Sequence, residues 1–201
     1  MDLNCPHFYY NDLTKLITHQ IIDSLSSGKK HLEGYVKWEY PFALHEKHNY
    51  FYWTYSIHRS SKNIKDDWDI HAWSGLSETD EPGIEIGIIL KKGIWAKNHG
   101  IDLPELSNVV AHEIHHLTQG EDFCEKKLDR LTSYDYFLLQ CEKEAFHIGF
   151  RAQSDMSGKC IEQCMRGYLE PRFKSKELTK KQVDDIVNAW INVKWDSVKG
   201  K

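Results

Sequence analysis

The stretch Ala111-His112-Glu113-Ile114-His115-His116-Leu117 holds two histidines four positions apart, with a glutamate directly after the first, the pattern H-E-x-x-H. On an α-helix a spacing of four brings His112 and His116 onto one face, one turn apart, where two imidazole nitrogens can bind a single tetrahedral Zn²⁺. Glu113 then stands beside the ion and not on it. A carboxylate in that place can take a proton from a water that the metal activates, which is general-base chemistry for hydrolysis.

Such chemistry needs a helix to set the spacing, and the flanking residues supply its signals. Asp102-Leu103-Pro104-Glu105 reads as a helix start, with Asp102 or Leu103 near the cap, Pro104 at an early helical position and Glu105 favourable to the helix dipole. Gly120 reads as the stop. Leu106, Val109, Val110 and Leu117 fall in one sector of this helix, flanked by His112, Glu113 and His116, so the two ligand histidines are expected to point towards the protein body. His115 projects to the opposite side and reads as a solvated histidine, or at most one that supports a ligand, and not as a ligand itself.

A catalytic zinc site normally has three protein ligands and one open position, so a third ligand is required. An E-A dipeptide, Glu144-Ala145, follows His116 after 27 intervening residues. H-E-x-x-H on one helix with an E-A dipeptide on a second resembles the gluzincin group of zinc peptidases, over residues 104–150. The resemblance implies a zincin-like α+β fold, Glu144 as the third metal ligand, and Ala145 as the small residue that lets the two helices approach. Leu117 to Phe123 contains no histidine, so the metzincin extension is absent. Glu142 is the runner-up ligand. It lies about 200° around a helix from Glu144, so both cannot face one ion.

The same helix is expected to run from Ser133 to Ser154, and on it His147 and Arg151 share a face with Glu144. Either could orient a ligand or stabilise the oxyanion of the transition state, and His147 is the one assigned to the catalytic set. Tyrosine is the other residue type suited to the oxyanion, and Tyr134, Tyr136 and Tyr168 leave that choice open.

Elsewhere the pattern predicts an amphipathic helix over Asn11 to Leu25 and a hairpin of two aromatic-rich strands, Tyr35 to Tyr40 and Tyr50 to Ile57. Asp67 to Trp73 is a weaker strand candidate. Gly83 to Leu90 is the clearest strand, either an ordinary core strand or an edge that binds an extended substrate by strand addition. A short charged helix is expected over Glu121 to Leu131. Ile161 to Tyr168 and Thr179 to Val193 read as further helices, the last with Thr179 and Gln182 as a capping box.

With 201 residues, 40% hydrophobic content, seven Trp, ten Tyr and eight Phe, the chain suits one folded domain spanning 1–201 and not a disordered segment. A net charge of −4 gives no sign of a nucleic-acid or membrane-surface binder. The N-terminus lacks the basic start and apolar run of a signal peptide, and the five cysteines are odd in number with no compact framework. Both features lead to an expectation of reduced thiols and a cytoplasmic location. Cys160 and Cys164 form a C-x3-C pair, read as buried thiols and not as a second metal site.

The function expected from these residues is zinc-dependent hydrolysis of a peptide bond in a protein or peptide substrate, with Glu113 as general base. In size and spacing the chain also resembles small regulatory peptidases that cleave repressors, and predicted peptidases of phage or mobile elements. The alternative from a different class is a non-hydrolytic zinc-binding scaffold that acts in interaction or regulation. The presence of Glu113 favours the enzyme, because a structural zinc site has no need of a carboxylate there.

Overall fold

In the computed structural model of the chain the described residues are 7–37, 50–59, 68–76, 81–90, 102–119 and 131–195. Among them are a helix α1 (His7–Ser26), strands β1 (His31–Lys37), β2 (Tyr50–Arg59), β3 (Trp68–Leu76) and β4 (Pro82–Leu90), and helices α2 (Leu103–His116), α3 (Ser133–Phe137), α4 (Gln140–Ser157), α5 (Ile161–Lys174) and α6 (Lys180–Ile191). The architecture is mixed α+β: one small sheet followed by a helical half.

The strands are ordered β1-β2-β4-β3. β1 runs antiparallel to β2, β2 parallel to β4, and β3 antiparallel to β4. The two segments do pair, Tyr52 opposite Tyr35 and Trp53 opposite Gly34, but the first strand begins at His31, four residues before the expected Tyr35. β4 is central, with β2 on one side and β3 on the other, so its reading as a substrate-binding edge does not hold. Its side chains explain the position: Ile84, Ile86, Ile88 and Leu90 alternate onto the core face and are fully buried, which an edge strand does not require. The edge nearest α2 is instead β3, which puts Ile70, Ala72 and Ser74 on the same face as those isoleucines.

That face is covered by α1, through Ile17, Ile21 and Leu25, and by α2, through Leu106, Val110 and Ile114. Behind α2 lies α4. The two helices approach so closely that a Cβ on Gly149 would stand 2.2 Å from Asn108 Oδ1 and 2.8 Å from the Asn108 carbonyl oxygen. Gly149 and the fully buried Ala145, four residues apart, form the smooth stripe that allows this. A second core, of Phe137, Phe146, Phe150, Leu169 and Trp190, ties α3, α4, α5 and α6 together.

The single helix expected over Ser133 to Ser154 is in fact two. Thr132 caps α3 by accepting from the Asp135 N–H, and Leu139 adopts an extended conformation (φ −58°, ψ 141°) as the cap of α4. The break puts Glu142 in the first turn of α4, where a carboxylate is favoured by the helix dipole. α4 ends on Gly158, whose φ of 70° is the left-handed geometry glycine adopts without strain. The capping box predicted for the last helix is present, with Thr179 and Gln182 in reciprocal bonds. The segment expected to form a charged helix after Gly120, and the segment 38–49 between the hairpin strands, lie outside the described residues.

Cys141 is disulfide-bonded, whereas Cys160 and Cys164 are free, so the expectation of thiols throughout fails at Cys141. Cys164 is buried as expected, and Cys160 is exposed. No helix among the described residues is long and apolar enough to cross a membrane.

Candidate metal centre

α2 starts as its sequence implies, with Asp102 as the cap and Pro104 in the first turn. It closes earlier than Gly120: His116 is its last residue, and tight bonds from Thr118 N–H to the His115 carbonyl and from Gln119 N–H to the His116 carbonyl turn the chain back under it. The final turn of α2 therefore presents His112 and His116 one above the other, with Nε2 atoms 2.9 Å apart.

The carboxylate that meets them is Glu142. Its Oε2 lies 3.5 Å from His112 Nε2 and its Oε1 lies 3.6 Å from His116 Nε2. Ligand atoms of these three residues all fall within 4.8 Å of one another, the one such grouping of possible metal donors among the described residues. Two imidazole nitrogens and one carboxylate oxygen are a donor set that suits a divalent transition metal. Glu142 Oε2 is buried with no hydrogen-bond donor of its own, which leaves a polar atom whose natural partner is a cation. The residues present thus fit a metal ion, and they do not by themselves say which.

Glu144 is elsewhere. It is completely buried, 3.4 Å from His115 Nε2, and accepts hydrogen bonds from Gln140 (2.9 Å) and Gln119 (3.3 Å). The structure brings Glu142, and not the expected Glu144, to the two histidines, and helix phase explains why. Ala145 and Gly149 face α2, and Glu142, three residues before Ala145, shares their stripe, whereas Glu144 is rotated by about 100° from Ala145. His147, three residues after Glu144, follows it away from the centre: its Nδ1–H donates to the Trp190 carbonyl at 2.7 Å and its ring meets Trp195 edge to face. The expected catalytic role of His147 is not supported by this placement. Arg151 lies on the surface, 3.5 Å from Asp155. His115 is not on the opposite side of α2: three residues after His112 it lies about 60° around the helix, its Nε2 is 3.4 Å from Glu144 of α4 and Trp195 covers it, so it is wholly buried and not solvated.

Charge is distributed accordingly. Burial opposes ionisation of Glu142, but the close approach and the fields of His112 and His116 overcome it and hold the carboxyl far below its usual range. Burial likewise disfavours protonated His116, yet the Glu142 and Glu113 carboxylates raise its pKa above 6.5. His115 is lowered by burial, which outweighs its interaction with Glu144.

Two site residues were not singled out by the sequence. Ser74 of β3 donates its hydroxyl to Glu113 Oε2 at 2.7 Å, so the glutamate between the ligands is held by the sheet. Only the strand alternation that puts Ser74 on the inner face could have pointed to it. Gln119 accepts from His116 Nδ1 at 2.7 Å. Of the three tyrosines left open, Tyr136 is the one that responds to the centre: burial, then the charge of Glu142, raise its pKa far above the ordinary phenol value, and Glu113 adds to the effect. Tyr134 points instead to Asp185. Tyr168 meets Phe146 at a tilt, ring centroids 5.6 Å apart, and the Arg172 guanidinium lies 4.8 Å from its ring centroid.

Comparison with models of protein families, with curated proteins and with solved structures finds no match to this chain.

Proposed function

We propose that this chain is a zinc-dependent metallopeptidase of zincin-like architecture, which hydrolyses a peptide bond in a protein or peptide substrate. The observation that carries the reading is the convergence of His112, His116 and Glu142 with Glu113 on the adjoining helix position, oriented by Ser74. Three protein donors of mixed nitrogen and oxygen type leave a tetrahedral ion one position short, the condition for catalysis and not for a closed structural site. A divalent ion bound there would supply Lewis acidity, lowering the pKa of a coordinated water towards about 7 and polarising a carbonyl.

The chain's own residues would do the rest. Glu113 accepts the proton of the attacking water and passes it to the nitrogen of the breaking C–N bond, so that the leaving group departs as a neutral amine. Ser74 occupies Oε2 of that carboxylate and fixes its plane, which leaves Oε1 to act as base. Tyr136, held protonated by burial and by Glu142, is a hydroxyl donor across the working pH range and is suited to the developing oxyanion. β3 is the sheet edge beside α2 and carries Ser74, so an extended peptide added along β3 would pass the centre.

The test is Glu113→Gln, which keeps size and shape and removes the base. With fold and metal content retained, cleavage of responsive proteins in a cell lysate should fall by a factor of about 10² to 10⁴. Identical peptide patterns from wild type and variant, both metal-loaded, would replace the peptidase by a non-hydrolytic metal-binding scaffold.

A further inference from the structure

We infer that Gln119 and Glu144 form a positioning unit that sets the tautomer of His116 and joins the two metal-bearing helices at one point. The inference rests on the metal reading above and assigns residues it does not use.

The partners of the Gln119 amide tell its two edges apart. Its nitrogen lies 2.9 Å from the Cys141 carbonyl oxygen and 3.3 Å from Glu144 Oε2. A carbonyl can only accept, so this edge is the NH₂ and the opposite edge is the oxygen. That oxygen lies 2.7 Å from His116 Nδ1, which must therefore carry the proton. Neutral His116 is then left with a bare lone pair on Nε2, the atom turned towards His112 and Glu142. The ligand nitrogen is thus selected from behind, by the carbonyl that holds the proton on Nδ1.

The same amide reaches across the helices. Cys141 directly precedes Glu142, so the bond from Gln119 to its carbonyl fixes the first turn of α4 relative to the end of α2. Glu144 anchors the amide in turn and is itself held by Gln140 at 2.9 Å. Gln119 is 9% exposed and Glu144 is fully buried, so water does not compete for these bonds. A buried carboxylate that does not touch the ion thereby holds the residue that holds the ligand.

The test uses the full chain and zinc ion alone, with affinity measured by chelator competition and the melting temperature of each metal-free protein as a control for folding. Gln119→Met removes both edges of the amide and should weaken zinc binding about 10- to 100-fold, the range for loss of a residue that orients a metal ligand. Glu144→Leu should do likewise, and the double variant should add little, because the two act in series. Glu144→Gln retains an acceptor oxygen and should restore affinity to within about threefold of wild type. Nitrogen-15 spectra of zinc-loaded wild type should show His116 protonated at Nδ1 and coordinated through Nε2, a reading that does not depend on any variant folding. Coordination through Nδ1, or zinc binding by Gln119→Met within twofold of a wild type that does bind, overturns this inference and leaves the metal site standing. A wild type that takes up no zinc overturns the metal reading and this inference with it.

Discussion

Glu142 Oε2 lies 3.5 Å from His112 Nε2, although 29 residues separate the two in sequence. The approach depends on a helix pair close enough that a glycine is needed at the crossing, and on a break at Leu139 that starts α4 two residues before Glu142. Packing and chemistry are therefore linked, and several measurements can separate them.

Gly149→Ala should show that link. The added Cβ would meet Asn108 Oδ1 at 2.2 Å and its backbone oxygen at 2.8 Å; the side chain can turn away, but the backbone oxygen cannot without moving α2. Denaturant unfolding is expected to report a loss of about 1 to 3 kcal/mol, the usual cost of overpacking. Metal affinity should fall as well, because His112 and Glu142 sit on opposite sides of the widened crossing. Unchanged stability and affinity would mean that the helices are not in this register.

Tyr136→Phe tests the oxyanion assignment. The change leaves His112, His116 and Glu142 in place, so metal content should stay at the wild-type level. The catalytic constant should drop by about 10² to 10³, the range for removal of one transition-state donor. A variant with full activity would remove Tyr136 from the reaction.

The pH dependence of the metal-free protein should carry the signature of His115. Above about pH 6.5, its ordinary value, folded and unfolded chains both hold it neutral. Below that, the unfolded chain takes up a proton that the buried ring refuses, so stability falls as the pH drops from 6.5 towards the lower folded value. One such proton gives a slope of up to about 1.4 kcal/mol per pH unit. His147, also lowered by burial, acts in the same direction, and His116, raised by Glu142 and Glu113, acts in the opposite one. Comparison of wild type with His115→Gln between pH 6.5 and 5.5 isolates the contribution. The variant should show a shallower loss, and an equal slope in both would contradict a neutral buried His115.

The parts of this centre that the sequence made legible are those set within one helix. Spacing of four residues placed His112 and His116 together, Asp102 and Pro104 marked where their helix begins, and Thr179 with Gln182 marked the start of α6. The partner carboxylate was not legible, because the choice between Glu142 and Glu144 depends on which face of α4 meets α2. That face is written in Ala145 and Gly149, small residues whose meaning appears only once the helices are packed. The sequence also carried His147 into the site with Glu144, when His147 turns to the Trp190 carbonyl of α6 and Glu144 to His115 and Gln119. Ser74 and Gln119 act across the tertiary structure, and no local pattern announces them.

The most direct measurement is the metal content of the full chain, purified without added metal, for wild type, Glu142→Gln and Glu144→Gln, with folding of each checked by circular dichroism. The wild type should carry close to one equivalent of zinc. Glu142→Gln should lose it, since a carboxylate ligand becomes a neutral amide, while Glu144→Gln should keep it. Retention in Glu142→Gln with loss in Glu144→Gln, or a wild type without zinc that takes none up on titration, would contradict the account.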